Sequence, residues 1–444
     1  MQRFVTLVCA LAVLGLASLA FAETRSVEID LSATTGRPIP VSIDLLTLRN
    51  HIGAEFPMDW SSLRVLVGGE SVPYQIDDLD GNGRISAGDE LAFLASGRAV
   101  IEIDDAPGDA PAFQSAFRLE GDDPVVVRSL ETPGFVVEVP QHGLTRIVGY
   151  GDTEGLLANE IGILRFSGYP ESTYWADGQL GPHEEYTNLE AGGMRHIGTR
   201  VLDPGPARVA VVAEYASDRF VGLTQRLVTR IYASGDIEIS NDVALRGYSD
   251  IMKLQSMATG VMSQADPESL HLMPIFRRLI WADQLEVTAE AYFAERDAVT
   301  TVDGTPFLAF RADDNLNPLY WGATYIFASA EPWRANYSEN LGIGVAELAF
   351  ETPAIADDYD AWLSGSTWVF ESQEFRTGVF KWTAGEFETY EATASVTPSE
   401  ANHYVPGDGM RFHVTYSVFD APSAEDAIRF ARDRQAEIAS ATLE

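Results

Sequence analysis

The sequence predicts an all-β protein: a small N-terminal β-sandwich, a larger β-sandwich after it, and a short closing helix. Three observations point there. Apolar residues recur at every second position through much of the chain. Gly, Pro, Asp and Asn break these runs at short intervals. One segment alone, at the C-terminal end, carries a helical period. Alternating strand and helix patterns, the mark of a parallel sheet, are not seen.

Taken in order, residues 1–22 have the three parts of an export signal: Arg3, the apolar run from Phe4 to Leu19, and the small-residue site Ala20-Phe21-Ala22 before Glu23. The run is short for a bilayer span and no basic stop-transfer cluster follows, so cleavage rather than stable membrane insertion is expected. That places the mature chain in the periplasm or outside the cell. Cys9, the only cysteine, lies inside this segment. Stability must then come from core burial, which a chain this long can supply.

Residues 23–110 form the expected small sandwich. Val27, Ile29 and Leu31 alternate with polar residues, as do Ile39, Val41, Ile43 and Leu45. Residues 106–111, Ala-Pro-Gly-Asp-Ala-Pro, read as a linker. Residues 111–421 form the large sandwich. Within it, Thr224–Ala233 and Asp236–Leu245 flank Ser234-Gly235, a tight hairpin turn, and Phe412, Val414, Tyr416 and Val418 share one strand face. Residues 422–444 hold the helix: Ser423 is the N-cap, and Ala427, Ile428, Ala431 and Ile438 recur at helical spacing.

The formal charge is −36, and arginines make up all the basic residues except Lys253 and Lys381. Such a chain repels phosphate backbones, which argues against a nucleic-acid partner. An acid-rich, lysine-poor composition fits a saline medium in which counter-ions screen self-repulsion.

The sharpest motif runs from Asp78 to Asp89. With Asp78 at position 1, Asp80 is 3, Asn82 is 5, Gly83 is 6, Arg84 is 7, Ser86 is 9 and Asp89 is 12. This is the spacing of a twelve-residue calcium loop, in which position 7 contributes only its backbone carbonyl. A structural calcium ion is expected, with modest affinity because Asp89 is shorter than the usual Glu. The flanks read as strands, so the loop is not set between helices.

Around this motif, Val72-Pro73-Tyr74-Gln75-Ile76-Asp77-Asp78-Leu79-Asp80-Gly81-Asn82-Gly83 and Asp89-Glu90-Leu91-Ala92-Phe93-Leu94 resemble the PxQxDDxDGDG…DELxF signature of a family of secreted bacterial proteins without assigned function. Members occur beside enzymes that degrade uronic-acid-containing polysaccharides. Residues 205–215, Gly-Pro-Ala-Arg-Val-Ala-Val-Val-Ala-Glu-Tyr, resemble a strand of that family's large domain and of mutarotase-like sandwiches. The insertion Arg84–Gly88 departs from the signature. The resemblance implies a mutarotase-like (super)sandwich for the large domain and a carbohydrate-related role.

The densest polar and aromatic segment, residues 169–200, reads as a loop. Tyr174 and Trp175 suit stacking on sugar rings, and Arg195 or Arg200 can pair with a uronate carboxylate. His196 or His183 can then act as base, Tyr186 as acid and Arg195 as carboxylate clamp in a β-elimination. This is lyase or dehydratase chemistry on an acidic poly- or oligosaccharide, and it needs no nucleotide cofactor. Two alternatives stand beside it. One is hydrolysis by a carboxylate pair drawn from Asp177, Glu184, Glu185 and Glu190. The other is a non-catalytic carbohydrate-binding or surface-interaction protein.

Overall fold

The computed structural model describes residues 22–31, 33–141, 145–168, 194–217, 222–245, 251–260, 266, 268–275, 278–279, 291, 294–295, 297–311, 324–328, 331, 333–351, 366–370, 380–388 and 410–441. Residues 1–22, expected to form an export signal, lie outside them apart from Ala22. The protein is all-β. Every strand pairing among the described residues is antiparallel, and a C-terminal helix closes the chain.

Two small sheets pack near the N-terminus. One runs Thr24–Ile29, Ala99–Asp104, Arg64–Val67, Glu70–Ser71; the other runs Ile39–Asp44, Glu90–Ala95, Tyr74–Asp77. Period-2 alternation turns Ile39, Val41, Leu91, Phe93 and Ile101 inward, and all five are fully buried in one cluster. Leu45 departs from its expected place in a strand. The strand stops at Asp44, whose carboxylate accepts from Thr47 N at 2.7 Å and caps an eight-residue helix, Leu45–Ile52. Leu45, Leu48 and Ile52, three and four apart, are the buried face of that helix.

The larger body has two ten-stranded sheets. The first runs in the order Arg278–Leu279, Thr324–Ala328, Ser366–Phe370, Phe380–Glu388, Ile251–Gly260, Thr153–Gly168, Thr145–Tyr150, Phe135–Val139, Val125–Ser129, Phe117–Glu120. The second begins at the edge strand Met194–Val201 and continues through Arg208–Ser217, Leu223–Tyr232, Asp236–Leu245 and Met410–Asp420. It ends with Ile343–Glu351, Trp333–Ser338, Leu270–Pro274, Thr305–Arg311 and Val299–Val302. The Tyr215 hydroxyl donates to the Gln141 carbonyl at 3.0 Å, bridging from the second sheet to a turn of the first. The Tyr215 face of the second sheet is therefore its inner face.

The terminal helix spans Ala424–Ala439, and Ser423 caps it by accepting from Asp426 N. Ala427, Ile428 and Ala431 pack on Trp333, Leu348 and Phe419 of the second sheet. Its far end ties the small sandwich to the large one. Buried Arg434 pairs with Asp236 and with Glu437, and donates to the Pro38 carbonyl at 2.8 Å. Glu437 in turn accepts from the backbone N–H groups of Thr34 and Thr35.

Candidate functional site

Two local arrangements bear on function: the acidic loop 78–89, and the edge strand Met194–Val201.

In the loop, carboxylates and backbone N–H groups form successive tight turns. Asp78 accepts from the N–H of Gly81, Asn82 and Gly83 at 2.6, 3.1 and 2.8 Å. Asp80 accepts from Asn82 N at 3.0 Å and from the Ser86 hydroxyl at 2.7 Å. The Asn82 side-chain oxygen accepts from Arg84 N at 2.8 Å. Gly83, at position 6, has φ +70°, a left-handed conformation that favours glycine. These bonds fold the loop so that Asp78, Asp80 and Asp89 each bring a carboxylate oxygen within 4.8 Å of the others. Burial pushes the Asp89 carboxyl up, and the Asp80 and Asp78 charges push the same way. The N–H groups of Ser86 and Leu79 only partly counter this. A convergent, oxygen-only set with mutual repulsion fits a hard cation such as calcium.

The loop is also fastened to the large sandwich. Leu79 sits in a cluster with Leu202, Ala210, Val212 and Val228 on the outer face of the second sheet. Arg200 donates to the Asp78 and Leu79 carbonyls at 2.6 and 2.7 Å, and Arg226 donates to the Leu79 carbonyl at 2.9 Å. The guanidinium of Arg200, a residue expected to bind substrate, braces the loop backbone.

The two segments that carry the sequence resemblance meet beside this joint. Gln75 Oε1 accepts from the N–H groups of Ala207 and Arg208, both at 3.1 Å. Arg208, wholly buried, pairs with Asp77 at 2.6 Å and Glu90 at 2.8 Å, and also donates to Ser42 and Tyr232. Arg230 closes the cluster on Glu90 at 2.5 Å. Burial alone would raise the Glu90 carboxyl, but the charges of Arg230 and Arg208 override it and hold the group well below the usual carboxylate range. Here Gln75, Asp77, Glu90 and Arg208 serve as the seam between two sandwiches. Sequence reasoning missed this cluster.

The segment expected as a loop becomes strand at Met194–Val201. His196 is half-buried. It stands opposite Tyr215 in the register, its ring 5.6 Å from that ring, and Nε2 lies 2.7 Å from the Thr199 hydroxyl. A bulge between His196 and Gly198 puts Thr199 on the same face. His196 therefore faces inward with Tyr215. Arg195, its neighbour in the strand, is exposed and turned to the outer face, and half-buried Arg200 is turned the same way. The pleat sends the base expected at His196 and the clamp expected at Arg195 to opposite sides of the sheet. Burial pushes the Tyr215 phenol up to about 12, with the Asp123 charge adding to it. His183, Tyr186, Tyr174 and Trp175 lie outside the described residues.

No family model matches the chain, and no curated protein matches it. Among solved structures, the galactose 1-epimerase from Lactobacillus acidophilus NCFM is similar at 11% identity and a TM-score of 0.38, over 70% of this chain and 100% of that one. A candidate aldose 1-epimerase from Escherichia coli K12 is similar at 12% identity and a TM-score of 0.32, over 69% of this chain and 100% of that one.

Proposed function

We propose that this chain is an exported, carbohydrate-active protein that performs β-elimination on uronic-acid-containing poly- or oligosaccharide. One observation carries the reading: a half-buried imidazole, His196, beside a phenol, Tyr215, on the inner face at a sheet edge. His196 takes the proton alpha to the sugar carboxylate. The electron pair left on that carbon forms a double bond to the β-carbon as the bond to the β-oxygen breaks, and the phenol delivers its proton, held in the resting protein on the Gln141 carbonyl, to that leaving oxygen. Tyr186 is the alternative donor. Incubation with a panel of acidic polysaccharides is expected to produce the ultraviolet absorbance of an unsaturated uronate. An unchanged panel by absorbance and mass spectrometry overturns the reading.

The same proposal gives the loop a calcium ion. Asp78, Asp80, Asn82, Ser86 and Asp89 would hold it through side-chain oxygens and Arg84 through its carbonyl. Bound there, the ion offsets the mutual repulsion of the three carboxylates. It thereby stiffens the turn whose Asp78 and Leu79 carbonyls hold Arg200 and Arg226. Calorimetric titration of calcium into chelated protein tests this. Saturable binding in the range of about 10⁻⁴–10⁻³ M, typical of extracellular modules, is expected, and no heat of binding contradicts it.

Export follows from residues 1–22 and suits such a site, because calcium outside a cell is abundant enough to fill it. The opposed directions of Arg195 and His196 favour a second reading, in which the protein binds acidic glycans without converting them. Retarded migration in polysaccharide gels with no product distinguishes it.

A further inference from the structure

On the inner face of the second sheet, Gln225 and Asn241 are 1% and 3% exposed. Among the described residues, none of their four amide nitrogen and oxygen atoms has a hydrogen-bond partner. The register makes them diagonal neighbours: Gln225 faces Val243, and Leu227 faces Asn241, on adjacent strands. Gln225 also stands directly opposite Tyr215, which stands opposite His196. His196, Tyr215 and Gln225 thus form one row running inward from the sheet edge for about 10 Å, two strand spacings.

Buried amides without partners are costly, and apolar side chains of the same shape would fit this face at no loss. The register neighbours Leu227 and Val243 are apolar and offer them nothing. Each amide presents both donor and acceptor capacity and no charge. A hydroxyl satisfies both kinds at once. We infer that Gln225 and Asn241 form a subsite for the vicinal hydroxyls of a sugar ring, in the row that His196 and Tyr215 begin at the sheet edge. The inference rests on the carbohydrate reading above, but not on the elimination step.

The test is calorimetric binding and thermal melting of the full chain, with glucuronate oligosaccharides and xylo-oligosaccharides as probes. The variants are Gln225→Leu, Asn241→Leu and the double variant. The double variant is expected to melt at or above the wild-type temperature. Its Kd for the probe that the wild type binds is expected to rise about 100-fold, roughly tenfold per amide lost. Three results overturn the inference. The first is an affinity within twofold of wild type. The second is absence of binding by the wild type to both probes. The third is a lowered melting temperature in the variants with binding unchanged, which assigns the amides to buried water alone. Loss of elimination with retained sugar binding leaves the subsite standing and removes only the proposed reaction.

Discussion

Asp77 and Glu90 are cross-strand partners in the small sandwich, two carboxylates directly opposite one another. Such a pair destabilises a hairpin standing alone. Arg208 of the large sandwich, 2.6 Å from one and 2.8 Å from the other, turns the repulsion into a reason for the two sandwiches to dock.

Removing one partner of that buried cluster leaves the other charges stranded. Arg208→Met is expected to destabilise the protein by about 3–5 kcal/mol, seen as a lower denaturation midpoint. A loss below about 1 kcal/mol contradicts the docking role.

The seam also sets a pH dependence. Because folding lowers the Glu90 pKa, its contribution is present above the unfolded carboxylate value, about 4.3, and is lost as pH falls below that value. Melting temperatures measured from neutral to acid pH are expected to fall more steeply in wild type than in Glu90→Gln. Parallel curves would count against this assignment.

Gly81 tests the link between the loop and Arg200. It has φ +73°, and a Cβ there would lie 3.0 Å from the Arg200 guanidinium carbon. Gly81→Ala is expected to cost about 1–3 kcal/mol from the strained backbone and to weaken calcium binding in the same titration. Unaltered melting and calcium affinity contradict the coupling.

The terminal helix supplies a smaller effect. Ser423→Ala removes the acceptor for Asp426 N and is expected to cost about 1 kcal/mol by chemical denaturation. No change would mean that the packing of Ala427, Ile428 and Ala431 holds the first turn without a cap.

Much of this fold was legible because strand alternation and helix capping are local. Val27 and Ile29, Ile39 to Ile43, the Ser234-Gly235 hairpin and the Ser423 cap all depend on residues close in sequence. The helix at Leu45–Ile52 was hidden because Leu45 continues the alternation of Ile39, Val41 and Ile43; the Asp44 side chain, capping Thr47 N, was the available signal. The Arg208 cluster was not legible, since it needs the register that sets Asp77 against Glu90 and the packing that brings in a strand more than a hundred residues away. In the site, Arg195 and His196 are adjacent, and once the segment is known to be strand their opposite directions follow from the pleat. Reading residues 169–200 as one loop concealed this.

The central claim is tested most directly by following ultraviolet absorbance while wild type, His196→Ala and Tyr215→Phe act on the acidic polysaccharide panel. A growing unsaturated product is predicted for wild type, with turnover lower by about 10²–10⁴-fold in each variant and sugar binding retained. Product formed at equal rates by all three proteins, or by none, contradicts the account.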